Sequence, residues 1–405
     1  MEPSPALVLD DDPSVGTAAV STPALAVDAQ YWADPAPLTL DCGQTISAVQ
    51  VAYETWGRLN AAADNALVVC HALTGDTHAA GVAPGATRPG WWDALIGPGR
   101  GLDTDRYFVV CANVLGGCRG TTGPASPHPA DGRPYGSRFP PLTVRDIVRL
   151  QARLAQALGV QSIVAVIGGS LGGMQALEWA ILDPDRVRAV VTIGASLAHS
   201  AQGIAYNLIG REAIHLDPAW QGGDYYASGR HPDRGLALAR MIGLITYQSA
   251  ESLRRKFDRR LAQDSTAPPD PATRFQVESY LQYQGSSLVR RFDANSYLVL
   301  SRAMDLHDLA YGRGSLAQAL GQVPPHTRTL AIGISSDILF PPGLQQGIVR
   351  ALHAAGRQAT YAEIDSPWGH DAFLLEYDQL TPLLRQFLAT VSDGSHRGVA
   401  GHGSR

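Results

Sequence analysis

Ser170 stands in the run Gly168-Gly169-Ser170-Leu171-Gly172-Gly173, directly after the apolar pair Val166-Ile167. The run spells G-x-S-x-G between a strand-like apolar stretch at 163–167 and a helix-like stretch at 174–182. A serine on such a strand-to-helix turn sits on strained backbone, with its hydroxyl above the sheet. The flanking glycines let strand and helix approach without a Cβ clash. The start of the helix supplies free N–H groups and the positive end of a dipole, which suit a developing oxyanion. The chemistry this predicts is attack by the Ser170 hydroxyl on a carbonyl. A dinucleotide fingerprint needs G-x-G-x-x-G, and Ser170 takes the place of its second glycine.

A serine hydroxyl needs a base, and the base needs an acid to orient it. With this kind of turn the chain order is serine, then acid, then histidine. His370, in Ser366-Pro367-Trp368-Gly369-His370-Asp371, follows a strand-like run at 359–364 and is the base candidate. His353 falls inside a helical run at 343–355, and His396 and His402 fall in a polar tail. The alternative for His370 is a loop histidine that only caps the next segment. Asp337 ends the strand-like run at 330–334 and is the candidate acid. It would also serve as an N-cap. Asp365 is a weaker rival, being so near His370 in sequence. Leu171, after the nucleophile, is one expected oxyanion donor. The loop His71-Ala72-Leu73-Thr74-Gly75 follows an early strand-like run at 66–70, and Leu73 is the second. His71 precedes the serine and reads as a loop-shaping residue.

These residues need a scaffold, and the chain can build one. It has 405 residues, 45% hydrophobic and 17% charged, which is ample for a large core. Length alone suggests about two or three domains. Strand-like runs at 46–53, 66–70, 107–112, 163–167, 189–193, 329–334 and 359–364 alternate with helical ones. Helical periodicity is plain at 144–158, through Val144, Ile147, Val148, Leu150, Leu154 and Leu158, and again at 381–391. Such alternation predicts an α/β fold with a doubly wound, mostly parallel sheet. It stops after Ala195 and resumes near Thr329. Amphipathic runs near 204–215, 234–247, 275–283 and 296–304 fill the interval. That predicts a core of 30–195 and 325–391 with a helical cap, 196–324, over the strands' C-terminal ends, where open α/β sheets bind ligands. Residues 1–29 and 392–405, small and polar, read as disordered tails.

The net charge is −5, and the Arg254-Arg255-Lys256 cluster with Arg259-Arg260 has acids around it, so it reads as a solvated face. Neither a nucleic-acid nor a membrane partner is expected. The first residues lack the features of a secretory signal. Cys42, Cys70, Cys111 and Cys118 form no C-x-x-C, so neither a zinc site nor a disulfide framework is suggested. Cys70 and Cys111 read as core, and Cys118, in a glycine loop, as the one at the surface. A cytoplasmic protein is expected, with no metal and no bound cofactor.

The triad predicts acyl transfer through a serine ester; the residues alone leave hydrolase and transferase open. A resemblance adds the rest. From about Thr45 to Leu388 the chain resembles the homoserine O-acyltransferases of methionine biosynthesis, which have the α/β-hydrolase fold. The strings that carry it include His71-Ala72-Leu73-Thr74-Gly75, Gly90-Trp91-Trp92-Asp93 and Asn113-Val114-Leu115-Gly116-Gly117-Cys118-Arg119-Gly120-Thr121-Thr122-Gly123-Pro124. Further on come Gly136-Ser137-Arg138-Phe139-Pro140, the Ser170 turn, Leu238-Ala239-Arg240-Met241 and Ile245-Thr246-Tyr247. Arg291-Phe292-Asp293-Ala294-Asn295-Ser296-Tyr297 and Gly369-His370-Asp371-Ala372-Phe373 complete the set. The resemblance implies a ping-pong mechanism with acetyl-CoA as co-substrate, Ser170 as nucleophile, His370 as base and Asp337 as its acid. It also implies Arg240 on the homoserine carboxylate, Asp371 on its ammonium, Tyr247 lining the site, and a homodimer through the cap. Taken without it, Arg240 reads as a surface cap residue and Asp371 as a helix cap. Some members use succinyl-CoA, or serine as acceptor. Succinyl selection needs a cation near the acyl tail. Arg119 is the candidate cation, with no place in the pocket assigned to it, so acetyl is the expectation. A serine esterase or thioesterase is the further alternative. Intact Ser170, Asp337 and His370 weigh against a binding module without catalysis.

Overall fold

The computed structural model describes residues 29–83, 88–262 and 273–394. The tails read as disordered fall outside these residues, apart from Ala29 and the backbone of 392–394, which ends the last helix.

Continuous apolar runs make the centre of the sheet. Strand β3 (Ala66–Cys70), β5 (Ile163–Gly169) and β6 (Ala189–Ile193) are buried along their whole length. That pattern belongs to parallel strands covered on both faces. With β1 (Gln30–Ala33), β2 (Gln50–Trp56), β4 (Phe108–Ala112), β7 (Arg328–Ile334) and β8 (Gln358–Ile364) they form an eight-stranded sheet in the order β1-β2-β4-β3-β5-β6-β7-β8. Among the described residues, only the β1–β2 and β2–β4 pairings of this sheet are antiparallel. Helices α1 (Val144–Ala157) and α2 (Leu171–Leu182) lie on one face. Thr143 opens α1 with a capping box that uses Asp146.

No strand of this sheet comes from between β6 and β7 among the described residues. That interval holds α3 (Ala201–His215), α4 (Asp233–Tyr247), α5 (Ala250–Lys256), α6 (Gln276–Val289), α7 (Ala294–Asp305) and α8 (Leu316–Gly321). Ser200, Ser249 and Asp293 cap α3, α5 and α7 through side-chain oxygens. Helix α4 packs on α3 and α6. The chain then adds α9 (Pro342–Ala354), which covers the α1–α2 face, and α10 (Tyr377–Gly394), which covers the other. Buried Glu178 of α2 ties this interval to the core, accepting from Arg313 Nη2 at 2.6 Å and Arg145 Nε at 3.3 Å.

Three expectations need correction. The run at 46–53 is not one strand. Ala48 has φ +55°, which breaks it into Thr45–Ile46, paired with Leu38–Thr39, and the start of β2. Cys118 is not the surface cysteine; Cys42 is. The Cys118 thiol accepts from the Asp293 N–H at 3.4 Å, and burial chiefly pushes its pKa up to about 12. Of the basic cluster, Arg254 and Arg255 do pair with Glu251 on an exposed face. Lys256 instead turns inward: its Nζ donates to Gln248 Oε1 at 3.0 Å and lies 5.5 Å from the Trp368 ring centre.

Candidate active site

The end of β5 and the start of α2 are too close for side chains. A Cβ on Gly168 would lie 2.3 Å from the Gly172 carbonyl carbon, and one on Gly172 would lie 2.0 Å from Cys70 O. Between them Ser170 adopts φ +59° and ψ −125°, a region that costs roughly 1–3 kcal/mol for a non-glycine residue. The Ser170 N–H donates to Ile193 O of β6 at 2.9 Å, which holds the turn against the next strand. The hydroxyl therefore stands at the C-terminal edge of the sheet, at the mouth of α2.

The next residue along β6, Gly194, faces the other two triad candidates. A Cβ there would lie 3.1 Å from His370 Cε1 and 3.3 Å from Asp337 Oδ2. His370 Nδ1 lies 2.6 Å from Asp337 Oδ2. The other carboxylate oxygen, Oδ1, accepts from the N–H groups of Leu339 and Phe340, each at 2.8 Å. Asp337 is thus both a turn cap and the partner of His370. Asp365 is elsewhere engaged, accepting from Ser335 Oγ at 3.0 Å, and His353 bonds Ala359 O at 2.8 Å. The His370 ring stacks on Phe340 (5.2 Å between centres) and meets Phe373 edge-on (5.5 Å). Its Nε2 is buried with no hydrogen-bond partner among the described residues. Burial disfavours the imidazolium. The Asp337 charge, its hydrogen bond and Asp371 outweigh this and raise the His370 pKa above its ordinary value. Such a ring can take a proton at Nε2 and hold it.

His71 does not reach this chemistry. Its Nδ1 pairs with Ala72 O at 2.8 Å, while Nε2 meets the Asn113 amide and the Val114 N–H. It folds the loop that carries Leu73. Among the described residues neither the Leu73 nor the Leu171 N–H donates to a protein acceptor. Leu73 and Ser170 line one cavity with Tyr247, Ile242, Thr246, Tyr297, Met304 and Leu339. His199, Tyr206 and Asn207 add to its polar wall, and among the described residues no Lys, Arg, Asp or Glu lines it. Burial, chiefly, pushes His199 down to about 4, so its ring is neutral at neutral pH. Arg119 is not in this wall; it pairs with Asp76 at 3.5 Å.

Charge lies to one side. Arg240, on α4, has its Cζ 5.7 Å from the Tyr247 ring centre, and its Nε is buried with no hydrogen-bond partner among the described residues. Asp371 follows His370 in a 3-10 turn, Gly369–Leu374, that packs on α4. Burial raises the Asp371 pKa; Arg240, His370 and Lys256 oppose the rise. A guanidinium and a carboxylate near one base can hold a zwitterion by its two ends. Reading from sequence missed His199, Asn207, Tyr297 and Arg291. Asn207 and Tyr297 sit on helices, where periodicity says only "buried face"; His199 sits in the loop just before α3, and Arg291, like Tyr297, lay in a matched string without a role.

Residues 65–377 match the family model of the alpha/beta hydrolase fold. The chain is 55% identical over 355 residues to a homoserine O-acetyltransferase of Symbiobacterium thermophilum, covering 87% of this chain and 92% of that one. A crystal structure of homoserine O-acetyltransferase from Bacillus anthracis superposes with TM-score 0.82 at 30% identity, over 89% of this chain and 97% of that one. Esterase E22 is similar at TM-score 0.81 and 30% identity, over 89% and 99% of the two chains.

Proposed function

Because the chain belongs to the homoserine O-acetyltransferase family, with the α/β-hydrolase fold, we propose that it moves an acetyl group from acetyl-CoA to the γ-hydroxyl of L-homoserine. This is the first committed step of methionine biosynthesis, carried out in the cytoplasm. The observation that carries the reading is the buried His370–Asp337 pair beside the Ser170 turn, with Arg240 and Asp371 next to it.

Ser170 Oγ attacks the thioester carbonyl while His370 Nε2 takes its proton. The carbonyl oxygen becomes an oxyanion, which the N–H groups of Leu73 and Leu171 stabilise. The C–S bond breaks, and the CoA sulfur leaves with the proton from His370. Homoserine then binds, its carboxylate on Arg240 and its ammonium on Asp371. Its γ-hydroxyl gives its proton to His370 and attacks the acetyl-serine. Collapse expels Ser170 Oγ, which recovers that proton, and O-acetylhomoserine departs. Tyr247 packs between Arg240 and the base.

Acetyl is favoured over succinyl by the cavity wall. Among the described residues no Lys or Arg lines that wall, and Arg240 beside Tyr247 is taken by the homoserine carboxylate, so a succinyl carboxylate would have no cation of its own. For the partner, we propose a homodimer through the cap. Leu208 and Ile209 on α3 and Leu238 and Ile245 on α4 are each about half exposed, an apolar face that a second copy would cover.

The similarity to an esterase keeps hydrolysis as the second reading. The deciding experiment measures free thiol released from acetyl-CoA and from succinyl-CoA, each with and without L-homoserine, with L-serine as a control acceptor. Release from acetyl-CoA that depends on homoserine supports the transferase. Release indifferent to the acceptor makes it a thioesterase and withdraws the roles of Arg240 and Asp371.

A further inference from the structure

The Leu73 loop is anchored at several carbonyls, and all but one of the anchors come from the core. Ala72 O accepts from the Gly75 N–H and pairs with His71 Nδ1. Asp76 O accepts from Trp91 Nε1 at 3.1 Å. The carbonyl between them, Thr74 O, accepts from Arg291 Nη1 at 2.7 Å, and Arg291 is 217 residues away in the linker between α6 and α7. No other donor to Thr74 O occurs among the described residues.

The linker itself is held at both sides. The Arg291 and Phe292 N–H groups donate to Leu288 O at the end of α6, each at 2.9 Å, and the Asp293 N–H reaches Cys118 Sγ of the core. The guanidinium therefore starts from a fixed base. It sits in poor electrostatic company. Burial, then Arg240, lower its pKa to about 10, with Asp76 opposing and Arg119 adding to the repulsion. It stays protonated at neutral pH. A buried cation among cations is costly, and an apolar side chain would fill the same space at less cost if packing were all it did.

We infer that Arg291 is a positioning residue for the oxyanion hole: it grips the Thr74 carbonyl so that the adjoining Leu73 N–H keeps its aim above Ser170. The inference rests on reading Leu73 as an oxyanion donor and Ser170 as the nucleophile. The hole serves both half-reactions, so a loosened loop slows both alike and leaves the grip on homoserine intact. A misplacement of about 1 Å in such a donor can cost on the order of 100-fold in rate.

The test compares the full-length wild type with R291M and R291K. Three quantities are measured: the rate at which a fluorophosphonate labels Ser170, the rate of acylation by acetyl-CoA, and the rate of deacylation by homoserine. The phosphonyl oxygen occupies the oxyanion position, so labelling reports the hole without either natural substrate. In R291M all three rates fall by a common factor, up to about 100-fold, while the homoserine KM holds. R291K, which keeps the charge but not the planar fork, recovers part of each rate. Thermal unfolding fixes a temperature at which every variant is folded; if R291M does not fold at any, R291K alone carries the comparison. Labelling at the wild-type rate in folded variants, or a loss confined to one substrate's KM, overturns the inference. A wild type that takes no label at Ser170 overturns the nucleophile reading on which it rests.

Discussion

His370 Nδ1 and Asp337 Oδ2 are 2.6 Å apart, and the other Asp337 oxygen is tied to the Leu339 and Phe340 N–H groups. The carboxylate cannot turn without losing those bonds, so it fixes the imidazole tautomer with Nε2 free to accept a proton. Asp337→Asn would present an amide where the ring needs an acceptor. We expect kcat to fall by roughly 10⁴, as for an orienting aspartate. The fold should be retained by circular dichroism. A loss below tenfold would show that Asp337 does not orient the base.

Ser170→Ala removes the only atom proposed to carry the acetyl group. Intact mass after addition of acetyl-CoA should show one added acetyl group on the wild type and none on the variant. An acetylated variant would move the nucleophile elsewhere.

The acid limb of the pH profile follows from His370. Acylation needs the neutral ring. Its folded pKa is raised, so the active form is lost as pH falls through a value above the ordinary 6.5 of histidine. The midpoint for acylation, measured without homoserine, should therefore lie above 6.5. Asp371 is among the groups raising it. Asp371→Asn should shift that midpoint to lower pH. An unmoved midpoint would separate the two residues electrostatically.

Arg240 and Asp371 should govern the acceptor. Removing one charge-assisted hydrogen-bonding partner costs about 1.5–3 kcal/mol, roughly 10- to 100-fold in kcat/KM for homoserine. Arg240→Ala and Asp371→Asn should show that loss, with a smaller effect on acylation by acetyl-CoA. Arg240→Lys should restore little, because a lysine cannot grip a carboxylate with two N–H groups. Wild-type homoserine kinetics in either variant would remove that residue from the acceptor site.

Gly172→Ala tests the turn as architecture. Its Cβ would land 2.0 Å from Cys70 O, a backbone atom that can yield only if β3 or α2 moves. Overpacking of this kind costs typically 1–3 kcal/mol or more. A thermal midpoint equal to that of the wild type would mean the helix shifts freely.

How much of this is legible in the sequence depends on the range of the signal. The Ser170 turn is legible because G-x-S-x-G is a local string, although the atoms that forbid side chains at Gly169 and Gly172 come from distant Phe373 and Cys70. The strand runs at 66–70 and 189–193 coincide with β3 and β6, since a strand buried on both faces is apolar at every position. The single strand expected at 46–53 fails at Ala48, whose positive φ no alanine advertises. Cys118 fails for the opposite reason. A glycine loop suggests exposure, but the chain that covers it, at Asp293, lies 175 residues away. Lys256 and Arg291 belong with it: both are cations whose inward turn meets groups far away in sequence, the Trp368 ring for Lys256 and the Thr74 carbonyl for Arg291.

That dependence sets an order of assembly. The Ser170 turn is complete once β5, β6 and α2 meet, all from one contiguous stretch of chain. The Thr74 carbonyl waits for Arg291, and His370 waits for β7 and β8, which join the sheet only after the whole α3–α8 excursion has been synthesised. On the proposed chemistry, the serine's turn is built from one early stretch, while its base and its clamp are the parts that the later chain must bring. If the proposed roles hold, acetyl-CoA is safe from that serine until the last strands are in place.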